Sequence, residues 1–290
     1  MPSFRYETVD VFTDQVFGGN PLAVFPDARG LSTEQMQALA AEMNYSETSF
    51  VLPPDDPANT ARVRIFNRTS EMPFAGHPNV GTACVLARLG LTTGNILRFE
   101  EISGLVYVRL LPDGGAEIDA PQPLRVIDSL PADAVARCLS LTPNDIDLAS
   151  HGPLRATVGI EFVVVAVAPD ALARAVPDLS AFRVLADPLP ELGGRLSIFF
   201  YCPDGRDIRA RMFAPLAGTW EDPATGSANA TLAALRLSLT DNCEIAYRAV
   251  QGVEMGRRSE LALRAWRAED GIRASVAGSC RSVFSGTVTL

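Results

Sequence analysis

The spacing of apolar positions predicts strands over residues 4–12 and 23–25, separated by a turn at Gly18-Gly19-Asn20-Pro21. An amphipathic helix follows over 33–43. Met36, Leu39, Ala40 and Met43 recur on one face, Ser32 stands at the N-cap, and Gln35 completes a capping box. Residues 49–52 and 61–67 read as strands. In the second, Val63 and Ile65 alternate with Arg62 and Arg64, so one face is expected in water. Residues 73–78 read as a loop. Residues 79–89 read as a helix whose small and apolar side chains (Val80, Ala83, Cys84, Ala87) suit burial on most sides. Strands over 96–100, 106–111 and 116–119 come next.

Pro121-Gln122-Pro123 breaks this pattern and is read as the domain boundary. Beyond it the order of elements repeats. A helix over 132–139 and a strand over 161–168 lead into a Pro-rich stretch, 169–193, with short helices. Strands over 197–202 and 208–213, a loop at 221–226 and an apolar helix over 227–237 follow, then strands over 244–251, 260–266, 273–277 and 283–289. Short connections between alternating strands argue for mostly antiparallel or mixed sheets rather than βαβ units. At 290 residues the chain is long enough for two domains, each with its own core.

Composition narrows the chemistry. All 25 basic residues are Arg, and a chain without Lys can form no Schiff base with pyridoxal phosphate or a carbonyl substrate. It also lacks the Lys of a P-loop, and no GxGxxG is present. The net charge of −9, spread without a basic tract, disfavours nucleic acid. The five Cys, an odd number with no CxxC pair, fit reduced thiols in a cytoplasmic protein. His77 and His151 are the only histidines and lack ligand-like spacing, so no metal is expected. The N-terminal residues do not form a signal peptide, and the longest strongly apolar run, about 162–168, is too short to span a bilayer.

Three segments carry candidate chemistry. In Asn44-Tyr45-Ser46-Glu47-Thr48-Ser49-Phe50 an acid sits in a loop between a helix end and a strand. In Phe74-Ala75-Gly76-His77-Pro78-Asn79 a Gly permits close approach, and a helix start offers N–H groups to an anion. Glu221-Asp222-Pro223-Ala224-Thr225-Gly226-Ser227-Ala228 repeats that arrangement in the second half, with Ser227 as the expected N-cap. If the halves face each other, two helix N-termini converge on a site suited to an anionic substrate that forms an enolate-like intermediate. A carboxylate held dry there can take and return a proton.

These segments, together with Gly18-Gly19-Asn20-Pro21-Leu22-Ala23-Val24, resemble the phenazine-biosynthesis-protein-like (PhzF-like) family in four motifs of the same order. The resemblance implies an α+β, diaminopimelate epimerase-like fold. Two similar domains would each wrap a mixed, mostly antiparallel sheet around a central helix, with the active site between them. The domains would be residues 1–120 with about 279–290, and 121–278. The epimerase relatives use a pair of Cys at the two helix loops, and none of the five Cys lies there. The resemblance instead implies one proton-shuttling carboxylate, Glu47, with His77 and Asp222 assisting. Gly76, Gly226, Ser227, Ser46 and Asn20 would bind a small amino- or hydroxy-carboxylic acid. It implies an isomerase without cofactor or metal, acting as a cytoplasmic homodimer. Where the family often has Gly-Arg-Pro-Ser, the chain has Gly256-Arg257-Arg258-Ser259; the added Arg258 either faces the site or points into solvent.

Two other readings fit the residues less well. A non-catalytic binding protein on the same fold would have no need of the full residue set. A serine hydrolase using Ser227, His77 and Asp222 would draw two members from one loop, with no GxSxG elbow.

Overall fold

The computed structural model describes Met1–Leu290 and divides into two compact units, Met1–Asp119 with Ala277–Leu290, and Ala120–Val276. The first unit opens with β1 (Ser3–Val11) and β2 (Asn20–Phe25), an antiparallel pair. Helix α1 (Thr33–Met43) crosses over to β3 (Glu47–Leu52), which runs parallel to β2 and antiparallel to β4 (Ala61–Asn67). The short β5 (Glu71–Met72) pairs with the end of β4, and the chain then enters α2 (Gly76–Arg88). Beyond it β6 (Ile96–Glu101) pairs parallel to the start of β4 and antiparallel to β7 (Gly104–Leu110), which leads to β8 (Ala116–Asp119).

The second unit follows the same plan. After β9 (Arg125–Ser129), α3 (Ala132–Cys138) and β10 (Leu154–Thr157) comes β11 (Glu161–Ala166). Helices α4 (Pro169–Arg174) and α5 (Leu179–Ala186) fill the crossover to β12 (Ile198–Asp204), parallel to β11. Strand β13 (Asp207–Phe213) returns antiparallel. Helix α6 (Gly226–Ser238) then crosses to β14 (Glu244–Gln251), parallel to β13 and followed by β15 (Ser259–Ala268) and β16 (Gly271–Gly278). The last strand, β17 (Cys280–Thr289), pairs antiparallel with β1 and closes the first unit. The architecture is α+β, with mixed, mostly antiparallel pairing.

Both crossover helices α2 and α6 are buried almost all round, Val80 to Leu86 and Ala228 to Leu235 included. A helix without a polar face must be enclosed by sheet, and the element order does this twice. The fit around α2 is tight at Gly81, where a Cβ would lie 2.5 Å from Leu22 Cδ2 and 2.8 Å from Val11 Cγ2. A second core in the first unit lies under α1. There Met36, Leu39 and Ala40 cover Phe25, Phe50 and Phe66, with Phe25 and Phe50 stacked at 4.9 Å. Burying each such side chain stabilises the fold by roughly 1.5–3 kcal/mol.

The capping box of Ser32 and Gln35 is formed, and α1 ends at Asn44 in the left-handed region (φ 55). Strand β4 alternates as expected, Val63 and Ile65 buried and Arg62 and Arg64 half-exposed. Three strands escaped the sequence reading. β5 has two residues, β9 shows almost no buried position, and β10 has four residues, so none carries a readable apolar period.

Candidate active site

Glu47 is the first residue of β3, not a loop residue, and its register opposite Leu22 of β2 and Asn67 of β4 fixes it from both sides. Asn44 turns the chain out of α1, and Ser46 then donates its hydroxyl to Asn20 Oδ1 at 3.2 Å. Asn20 is the first residue of β2 and is buried. The Glu47 side chain is 17% exposed, and its Oε2 is enclosed without a hydrogen-bond partner, 3.5 Å from His77 Nε2. Burial pushes the Glu47 carboxyl above the ordinary carboxylate range, against the neighbouring Ser46 hydroxyl and the charge of Arg68.

His77 arrives through α2, which begins at Gly76, three residues earlier than the apolar pattern indicated. The early start follows from Gly76-His77-Pro78, whose Pro fits the first turn. His77 is buried, and no side chain caps the helix at Ala75. The partial positive charge of a helix start therefore lies beside the Glu47 carboxyl. Thr48 Oγ1 and Ser49 Oγ on β3, and Asn79 Oδ1 and Thr82 Oγ1 on α2, are also buried without hydrogen-bond partners. An orphaned buried polar atom costs about 1–3 kcal/mol, and a group of them is expected where a ligand belongs.

In the second unit the N-cap of α6 is Thr225, not Ser227, which lies inside the first turn with Gly226 preceding it. The Thr225 hydroxyl does not cap the helix and is donated to Asp222 Oδ2 at 2.5 Å. Asp222 is buried, its main-chain N–H bonded to Met212 O. Gln251, at the end of β14, ties the loop together. Its Oε1 accepts from Thr225 N at 3.1 Å and Asn229 Nδ2 at 2.9 Å, and its Nε2 donates to Asp222 O at 2.8 Å. Next to it, Gly252 (φ 75) leaves room where a Cβ would lie 2.7 Å from Pro223 O. The adjacent acid, Glu221, is bound bidentately by the buried Arg211 at 2.8 and 2.9 Å.

Gln251, Asn79 and Asn229, which bind the loops at the two helix starts, are not singled out by the sequence reading. The signal was present: both helix loops read Gly-x-x-Asn, at Gly76–Asn79 and Gly226–Asn229. His151 is structural, its ring between Gly152 O at 2.6 Å and the Tyr201 hydroxyl at 3.0 Å. Arg258 points into solvent and pairs with Glu260 at 2.8 Å. No three His, Cys, Asp or Glu side chains are grouped as a metal site would require. No helix is long and apolar enough to cross a membrane.

The sequence profile of the phenazine biosynthesis-like protein family matches residues 9–286. The chain belongs to this family. An uncharacterised isomerase of Mesorhizobium japonicum is 39% identical over 280 residues, covering 91% of both chains. The trans-2,3-dihydro-3-hydroxyanthranilate isomerase of Pseudomonas aeruginosa is 36% identical over 296 residues, covering 99% of both. The crystal structure of a PhzF-family phenazine biosynthesis protein from Bacillus anthracis matches all of both chains with a TM-score of 0.89 at 26% identity. With this company along its whole length, the phenazine biosynthesis-like chain is an isomerase.

Proposed function

We propose that the chain moves a proton between two carbons of a small amino- or hydroxy-carboxylic acid without a cofactor, with Glu47 as base and then acid. The observation that carries this is the Glu47 carboxyl itself, which is enclosed, raised in proton affinity, has one oxygen without a hydrogen-bond partner, and lies 3.5 Å from His77 Nε2. In its ionised form Glu47 removes a proton from one carbon, leaving a carbanion delocalised toward the substrate's unsaturation. The carboxylic acid so formed, whose proton exchanges with solvent, returns a proton to another carbon, so atoms and charge balance over the cycle. His77, Asp222 and Ser227 are proposed to orient the substrate. Gly76, Gly226, Ser46 and Asn20 are proposed to shape its binding surface. The substrate of the Pseudomonas aeruginosa relative, trans-2,3-dihydro-3-hydroxyanthranilate, is the first compound to try.

The test is deuterium uptake from D2O into that acid, followed by NMR. Wild type should incorporate deuterium, and Glu47→Gln should lower the rate by about 10²–10⁴-fold, the usual contribution of a general acid–base. Full exchange by Glu47→Gln would remove Glu47 from the mechanism. Exchange by neither protein, with the acid still raising the melting temperature, would favour a binding protein. A cytoplasmic homodimer is part of the same proposal; the five free thiols agree with a reducing compartment. Light scattering that gives the mass of one chain, 31.0 kDa, would remove the pairing.

A further inference from the structure

The two central helices begin with the same device, and its last component differs between the units. Asn79 and Asn229 are both fully buried. Each donates its side-chain Nδ2, at 3.0 Å, to the carbonyl of the residue four positions earlier, Ala75 or Thr225. Each helix is followed by a strand parallel to one that comes before the helix, β6 to β4 (with the short β5 between β4 and α2) and β14 to β13. Gln251 lies 22 residues after Asn229, at the end of β14. Glu101 stands the same 22 residues after Asn79, at the end of β6. A carboxyl group thus occupies, in the first unit, the place where the second has an amide.

The amide of Gln251 uses both of its capacities, accepting at Oε1 and donating at Nε2 to the loop that holds Asp222. An ionised carboxylate can only accept, whereas a neutral carboxylic acid has one acceptor and one donor, as Gln does. The surroundings of Glu101 match the neutral form. Both carboxyl oxygens are buried without a hydrogen-bond partner, and an isolated buried charge would be costly. Strand β4 pairs with β6 at Ala61 and Arg62 but with β5 at Ile65 and Phe66, and Glu101 lines the recess where the partners change.

The charged groups around that recess are engaged with one another. Arg64 of β4 binds Glu71 of β5 at 2.6 Å, and Arg62 binds Asp55 through Nη1 at 3.2 Å while its Nε is buried without a partner. Glu100 accepts from Asp55 N, Asp56 N and Asn59. From α2, the group facing Glu101 is the Asn79 amide, which is uncharged. Burial pushes the Glu101 carboxyl up to about 8, with only that amide acting against it.

We propose that Glu101 is a positioning residue that works as a neutral carboxylic acid, the counterpart of Gln251. As a neutral acid it faces the Asn79 side-chain amide at the start of α2 without placing an uncompensated charge there. It thereby fixes the turn that presents His77 to Glu47. The proton state of Glu101 stands apart from the isomerase reading; only its consequence for rate rests on it.

The experiment compares wild type, Glu101→Gln and Glu101→Ala in two readouts. The first is thermal midpoint against pH. In wild type the folded chain keeps a proton that the unfolded chain releases above pH 4.5, so this contribution to stability falls as pH rises from there to about 8 and then levels off. Gln does not titrate. The midpoint of Glu101→Gln relative to wild type should therefore climb between pH 5 and 8, by at least about 3 °C, and then plateau. The second readout is deuterium exchange. Wild type should lose rate above pH ~8 along a limb that Glu101→Gln lacks, while Glu101→Ala should lose about 10- to 100-fold at every pH through a misplaced His77. A midpoint difference independent of pH overturns the proposal, and so does failure of Glu101→Gln to fold. Absence of exchange in all three proteins, with the midpoint difference still following pH, would overturn the isomerase reading and leave this one standing.

Discussion

Glu221 and Asp222 are adjacent acids with different employment, and the residue scale is where they separate. Glu221 is bound to Arg211, whose guanidinium also donates to Leu172 O and Ala175 O and lies 4.8 Å from the Phe213 ring centroid. Asp222 takes the Thr225 hydroxyl beside α6. Glu221→Ala should therefore destabilise by about 3 kcal/mol in urea unfolding, because it removes the bidentate partner of a buried guanidinium and leaves only Glu254, at 3.9 Å, to oppose its charge. Exchange at temperatures where the variant stays folded should fall much less than in Glu47→Gln. The family resemblance singled out Asp222, but the sequence held no sign of what Glu221 does, since its partner Arg211 lies on β13 and the burial of that guanidinium is a tertiary fact. Ser227 failed for a related reason: capping preference favours Ser, but the bond that Thr225 makes to Asp222 decides the helix start.

At the scale of elements, legibility followed the strength of the period. Helix α1 has an apolar stripe and a complete capping box, and both of its ends were readable. Helix α2 has no polar face to define a period and no side-chain cap, so only Pro78 in its first turn marks the start at Gly76. Gly81 shows how close that packing is. Its missing side chain is what allows α2 to lie on Val11 and Leu22, both fully buried. Gly81→Ala improves helix propensity by up to about 1 kcal/mol, but the added methyl has no room. The core cost should win, giving a net loss of roughly 1–3 kcal/mol in denaturant unfolding with little change in slope. A gain in stability would show that α2 can shift on the sheet. Such a shift would also move His77, and exchange would report it.

The whole molecule is built from one plan used twice, and its sequence showed the repeat of loops and central helices more readily than the strands with no apolar face. Repetition also locates what is asymmetric: Glu47, with its orphaned Oε2, and Glu101 in place of Gln251 belong to the first unit alone. Both are acids whose proton affinity is raised by burial, Glu101 up to about 8. Each therefore contributes stability that is complete below the unfolded value of 4.5 and lost as pH rises through its folded value. Residues kept for chemistry commonly cost stability, which here is expected to be visible as a function of pH. Glu47→Gln removes the buried charge and keeps the shape. It should raise the thermal midpoint relative to wild type above neutral pH, by an increment that shrinks toward pH 4, while deuterium exchange collapses. A carboxylate retained for structure behaves oppositely, because losing its partners lowers the midpoint together with the activity. If Glu47→Gln melts below wild type at pH 8, its carboxylate is a structural anchor with bonded partners, and the proton carrier has to be sought elsewhere in the chain.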